Sequence, residues 1–163
     1  MARSLLLPAI SLLILLAQTI VVPFVEVGTI VPDLILIWVV FLGITRGPVA
    51  GSTAGFFLGL LADILAGDDG MLGLSSLTKT IAGFLAGYTF NENKTVQTLT
   101  TAQFPLIVAV VGLVHNLLYF VIFLQGTDIS WEDAIVRLGL SSTVYTALVA
   151  LLPLFIFSRH YRT

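Results

Sequence analysis

Residues 47–67 read GPVAGSTAGFFLGLLADILAG, and their small residues decide what kind of chain this is. Glycine stands at Gly47, Gly51, Gly55 and Gly59, and the step of four continues to Asp63 and Gly67. In water, each glycine inside a helix costs up to about 1 kcal/mol relative to alanine. In lipid, the same row lets two helix backbones touch, and close packing supplies what hydrophobic burial cannot supply there. The stretch therefore predicts a membrane helix packed tightly on another helix. A second pair, Gly83 and Gly87, lies on the next apolar segment, with Lys79 one step before it. Packing of the two glycine faces on each other within the chain is the plainer expectation. Packing on a second chain, a homodimer included, is the alternative. Both can hold, because the ladder drifts about 40° per four-residue step and turns through about half the circumference from Gly47 to Gly67.

Composition points the same way. Of 163 residues, 58% are hydrophobic and 10% charged, with mean hydropathy +1.08. A soluble domain is about 25% charged. No polar stretch is long enough to fold outside the bilayer, so residues 1–163 read as one transmembrane domain. The chain contains no cysteine, which excludes disulfides, thiolate metal sites and cysteine nucleophiles. The N-terminal run after Arg3 imitates a signal peptide, but LLAQT is a poor cleavage site, and the expectation is that it stays as a span.

Apolar segments fall at 4–22, 30–45, 48–66, 72–90, 104–125 and 133–157, separated by short polar or turn-rich pieces. The second is the shortest: its unbroken apolar run, Leu34 to Ile44, covers about half of the ~20 residues a span needs. Charge placement decides whether it crosses. With six crossings, Arg3, Arg46, Lys94, Arg159 and Arg162 share one side, while Glu26, Asp68, Asp69, Asp128 and Glu132 share the other. That distribution follows the positive-inside rule, with both termini cytoplasmic. If the second segment does not cross, most of the basic residues move outside. The sequence therefore predicts an all-α integral membrane protein, a bundle of six transmembrane helices with short loops.

Few side chains are candidates for chemistry. Asp63 and Lys79 flank the turn between the third and fourth segments, and each extends its helix's glycine ladder by one step. If the glycine faces meet, these charges are expected to meet, since an unpaired intramembrane charge is costly. A structural ion pair, or Lys79 reaching to the interface, is the plain reading; a partner-binding or ligand-binding role is the sharper one. His115 and Asn116 lie mid-span in the fifth segment and are expected to make hydrogen bonds between helices. Asp33, after Pro32, reads as a helix-start residue. Arg137 has two candidate partners, Asp133 on its own helix and Asp33 across the bundle. No metal-ligand pattern, phosphate loop or nucleophile–base arrangement is present, so no cofactor, metal, nucleic acid or enzymatic activity is expected.

These pieces also form a familiar set. Pro32-Asp33, Arg46-Gly47-Pro48, Gly51, Gly55-Phe56, Gly59, Asp63, Gly70-x-Leu72-Gly73 and the Gly83–Gly87 pair together resemble the rod shape-determining MreD family of bacterial inner-membrane proteins. The motif block covers residues 32–87; the rest matches in hydropathy and length. The resemblance implies a non-enzymatic scaffold of the cell-elongation complex, supporting lateral peptidoglycan synthesis and rod shape. It implies a partner like MreC, a single-span protein, and through it the actin-like MreB cytoskeleton and the wall-building glycosyltransferase–transpeptidase pair. It also implies a bundle similar to the substrate-binding subunits of energy-coupling-factor transporters. That similarity supplies the alternative function, a small-molecule-binding subunit of such a transporter. In the first reading, Gly47, Gly51, Gly55, Gly59, Asp63, Lys79, Gly83 and Gly87 serve helix packing or partner binding. Asp33, His115, Asn116 and Arg137 supply polar contacts.

Overall fold

The computed structural model describes residues 2–67, 71–125 and 130–160, and within them all side chains except those of residues 2–5, 133 and 156–160. Among these residues the chain is helical, and the one β pairing is an isolated bridge between Val27 and Ile30. Helix α1 spans Ala2–Ile20, and a short 3-10 turn, Val22–Val25, follows it. Then come α2 (Leu34–Arg46), α3 (Pro48–Ala66), α4 (Leu74–Gly87), the short α5 (Thr95–Thr100) and α6 (Gln103–Phe123). The last stretch opens with a π-helical segment, Asp133–Leu140, and continues as α7 (Ser141–Val149) and α8 (Leu151–His160).

Among the described residues, three helical stretches are long and apolar enough to cross a membrane: Pro48–Ala66, Gln103–Phe123 and Ala134–Phe155. Leu6–Ile20 and Leu34–Arg46 are apolar but shorter. The second and fourth segments thus form shorter helices than the ranges 30–45 and 72–90. The reasons are local. Residues 27–30 are tied in a tight turn around Gly28 (φ 70°), which leaves Pro32 outside the helix. Gly73, at φ 93°, holds a left-handed conformation that stops α4 from extending backward. The break between α7 and α8 at Ala150 lies three residues before Pro153, which has no N–H to offer the Val149 carbonyl.

Helix α2 is apolar on every side (LILIWVVFLGIT), as a helix surrounded by others must be. Ile35, Leu36, Val39, Val40 and Ile44 are all buried. On one side they pack with Ala82 and Ala86 of α4 and Phe104 and Val108 of α6. On another, Ile35 and Val39 meet Leu15 of α1 and Leu58 of α3. Trp38 anchors α1 through a hydrogen bond from its indole nitrogen to Ser11 Oγ, 2.8 Å. Around this central helix the polar side chains of α2, α4, α6 and α7 converge.

Several charges counted in the sequence lie outside the description: Asp68, Asp69, Asp128 and Arg162 altogether, and the side chains of Arg3, Asp133 and Arg159. The expected Arg137–Asp133 pairing falls on one of those side chains.

Candidate functional site

The α3–α4 hairpin is built on glycine. A Cβ placed on Gly51 would fall on the carbonyl of Gly83, and one on Gly55 on the carbonyl of Lys79. On Gly59 it would lie 2.6 Å from Ser75 O and from Ser76 Cα. From the other helix, a Cβ on Gly83 would collide with the Gly51 carbonyl, and one on Gly87 with Pro48. These are backbone atoms that no side-chain rotation can clear, so only glycine permits the approach. Gly47 does a different job. At φ 89° it makes the turn between α2 and α3, and a Cβ there would meet only the Phe90 ring, at 3.6 Å. Gly43 of α2, which spacing within α3 did not reveal, joins the contact: a Cβ there would stand 2.9 Å from Gly83 O and 3.0 Å from Ala86 Cβ. Three helices therefore share one glycine junction. The ladder faces helices of its own chain along Gly51, Gly55 and Gly59.

Asp63 and Lys79 do not pair, which corrects the expectation that charges on meeting glycine faces would meet. Asp63 is buried, and its carboxylate accepts the backbone N–H groups of Gly73 at 2.8 Å and of Ser75 and Ser76 at 3.3 Å each. It works as a cap supplied from the neighbouring helix. The first N–H groups of α4 have no partner within the helix, and they carry the positive end of its dipole. Those donors hold the acid, while Lys79 lies further along α4 and turns toward α2.

Lys79 Nζ lies 2.6 Å from Asp33 Oδ2, a salt bridge with side chains 7% and 20% exposed. Asp33 is also the N-cap of α2, its Oδ1 accepting the Leu36 N–H at 2.8 Å. Arg137, the other cation proposed for Asp33, is therefore replaced by Lys79 in that role. On its far side Lys79 Nζ stands 3.4 Å from His115 Nε2. An ammonium can only donate, so Nε2 accepts and the ring proton sits on Nδ1. Nδ1 faces Asn116 Oδ1 at 3.4 Å. Asn116 Nδ2 donates in turn to Thr143 Oγ1 at 2.7 Å and Gly139 O at 3.1 Å, and Thr143 donates to the same carbonyl at 2.8 Å. A single donor direction runs from the ion pair through α6 to the π-helical segment.

Gln18 and Thr146 escaped the sequence reading, and Ser142 and Thr143 enter it only as hydroxyls with no base nearby. Gln18 accepts the Leu34 N–H at 2.7 Å and donates to Pro32 O at 3.2 Å. Thr146 accepts the Asp33 N–H, 3.0 Å, and Ser142 donates to Val31 O, 3.0 Å. Thr143 joins Asn116. A signal existed: Gln18 is an amide in an otherwise apolar helix, and Ser142, Thr143 and Thr146 are hydroxyls on one span. Gln18 and Ser142 also line a cavity of about 250 Å³ walled by Asp33, Lys79, His115 and Tyr119.

With this geometry in place, comparison with known proteins adds one decisive match. The family model described as rod shape-determining protein MreD matches residues 2–161. The chain belongs to the MreD family. The match extends over nearly all of the sequence, well beyond the glycine-rich block that carries the resemblance. No curated protein and no solved structure matches the chain. Membership of the MreD family gives the protein a role in rod shape determination, and with its apolar helices it is a membrane protein. The family description names a shape-determining protein and no reaction.

Proposed function

We propose that this MreD-family protein is a non-enzymatic scaffold of the bacterial cell-elongation complex. It crosses the inner membrane six times as a single domain, with both termini in the cytoplasm. It grips the transmembrane helix of an MreC-like partner and so supports lateral wall synthesis and rod shape, linked indirectly to an MreB-like cytoskeleton. The observation that carries the reading is the family match over residues 2–161. The positive-inside distribution of Lys and Arg supports the six crossings.

The glycine junction supports a seat elsewhere for this proposed partner. Its small-residue face is filled by the chain's own helices, so docking takes place on the outer apolar surface. A groove of about 640 Å³ between α1 and α3, lined by Leu12, Leu15, Phe57 and Leu61 and ending near Arg46, is our candidate seat. The absence of cysteine makes the test clean. A single cysteine in place of Phe57 or Leu61 should crosslink to an MreC-like protein in intact membranes, and one in place of Leu77 on α4 should not. Affinity purification should bring down wall-synthesis components. Recovery of an ATPase transporter module instead, with no crosslink at either position, would favour the alternative transporter subunit.

A further inference from the structure

The cavity beside the ion pair is space that the packed helices leave unfilled, and it is walled by costly groups. Lys79 and His115 are each 5% exposed, and both front this space together with Asp33, Gln18, Tyr119 and Ser142. Ionisable residues within membrane helices ordinarily mark a function when they line a cavity instead of being packed away. The π-helical segment Asp133–Leu140 contributes Leu138 to the same wall, and π turns recur at functional sites.

We propose that this cavity binds a small zwitterion of the amino-acid type. Three features select that class. First, the wall's own charges cancel, since Asp33 and Lys79 form a pair. A guest with net charge would leave an uncompensated charge in a poorly solvated site, so the guest is net neutral. Second, both members of the pair have capacity left. An ammonium has three donors, of which Lys79 uses one toward Asp33 and one toward His115. A carboxylate offers about four lone-pair sites, and Asp33 uses one for Leu36 and one for Lys79. A guest carboxylate beside Lys79 and a guest ammonium beside Asp33 complete a four-charge square. The Tyr119 ring, stacked near His115 with centroids 6.3 Å apart, adds an aromatic wall that suits a cation. Third, about 250 Å³ lies below the roughly 300–1,000 Å³ of drug-sized pockets, so the guest is small. The site stands independently of the scaffold reading, because it uses neither the glycine junction nor the α1–α3 groove.

The test uses the full chain in nanodiscs and an isosteric series. Radiolabelled alanine, β-alanine and glycine betaine are the zwitterionic probes, each tried up to 10 mM on the ~1 μM–1 mM scale of ordinary small-molecule sites. At least one should bind saturably and be displaced by unlabelled zwitterion. Lactate, an anion of alanine's shape, and alaninamide, a cation, should compete at least tenfold more weakly. Ser142→Leu, which fills the cavity and leaves the ion pair in place, should abolish binding, as should Lys79→Met. The competition series needs no variant, so it decides the matter even if Lys79→Met does not fold. Failure of all three probes to bind, equal competition by lactate, or undiminished binding to a folded Ser142→Leu protein would overturn the proposal. None of those results bears on partner crosslinking.

Discussion

The carboxylate of Asp33 closes the first turn of α2 with one oxygen and holds Lys79 of α4 with the other, at 2.8 and 2.6 Å. Removing either partner leaves the other ion buried and unmatched, at a cost of about 3–5 kcal/mol. Asp33→Leu and Lys79→Met should each destabilise the protein by amounts in that range, toward its lower end for Lys79→Met, because Asp33 stays one-fifth exposed. The double variant should lose clearly less than the two single losses combined. Detergent-titration unfolding of the four proteins measures the coupling, and strict additivity would show that the contact contributes nothing.

Asp63 should behave as a cap, not as half of an ion pair. Asp63→Asn keeps an acceptor oxygen and should cost less than Asp63→Ala, which strands buried N–H groups at about 1–3 kcal/mol. Joint reversal, Asp63→Lys with Lys79→Asp, should rescue neither single reversal. Recovery of wild-type melting in that double variant would restore the pairing that the sequence alone invites.

At the glycine junction, even one methyl group is too large. Gly55→Ala and Gly83→Ala should each cost at least the 1–3 kcal/mol typical of overpacking, because the obstacles are carbonyls and not movable side chains. Gly112→Ala on α6 is the control: its Cβ would meet Thr143 Cγ2 at 3.4 Å, and helix propensity favours alanine there by about 1 kcal/mol. Monodisperse yield and thermal melting should separate the two classes.

Asn116→Leu removes both donor bonds to the Gly139–Thr143 corner. Interhelical hydrogen bonds in membranes average about 0.6 kcal/mol and reach about 1.7, and the loss should lie within that span. A larger effect would show that the corner also organises the π-helical segment.

Topology can be read with single cysteines on two exposed residues, Lys94 in the turn before α5 and Glu132 at the start of the last helical stretch. A membrane-impermeant thiol reagent applied to intact cells should label Glu132→Cys and spare Lys94→Cys. The reverse pattern would invert the bundle.

What the sequence disclosed, and what it withheld, divides along physical lines. Glycines at a step of four announce a close contact because nothing but a neighbouring backbone explains them, and Gly83 and Gly87 supply that neighbour. Asp33 after Pro32 announces a helix start because capping is local. Lys79 was harder to assign. Its partner is 46 residues away on a helix that inserts beside the hairpin, and no periodicity carries that information. The acid at position 63 was captured first by α4's own terminal N–H groups, since Gly73 bends the chain so that they face it. The π-helical stretch DAIVRLGL has no local signature apart from Gly139, whose carbonyl it presents to Asn116.

Helix α4 has 14 residues, about 21 Å of rise, against a hydrocarbon layer near 30 Å. Its outward residues Leu77 and Phe84, and Tyr88 just past its end, are open to whatever surrounds the bundle. On the proposed six-span topology, acyl chains along that flank must shorten or tilt to meet α4, which gives a collar of thinned membrane on one side. Mismatch of this kind costs fractions of a kcal/mol per Å. That elastic penalty falls when another short-spanned protein shares the thinned zone, so in the proposed elongation complex the bilayer itself would help gather the members.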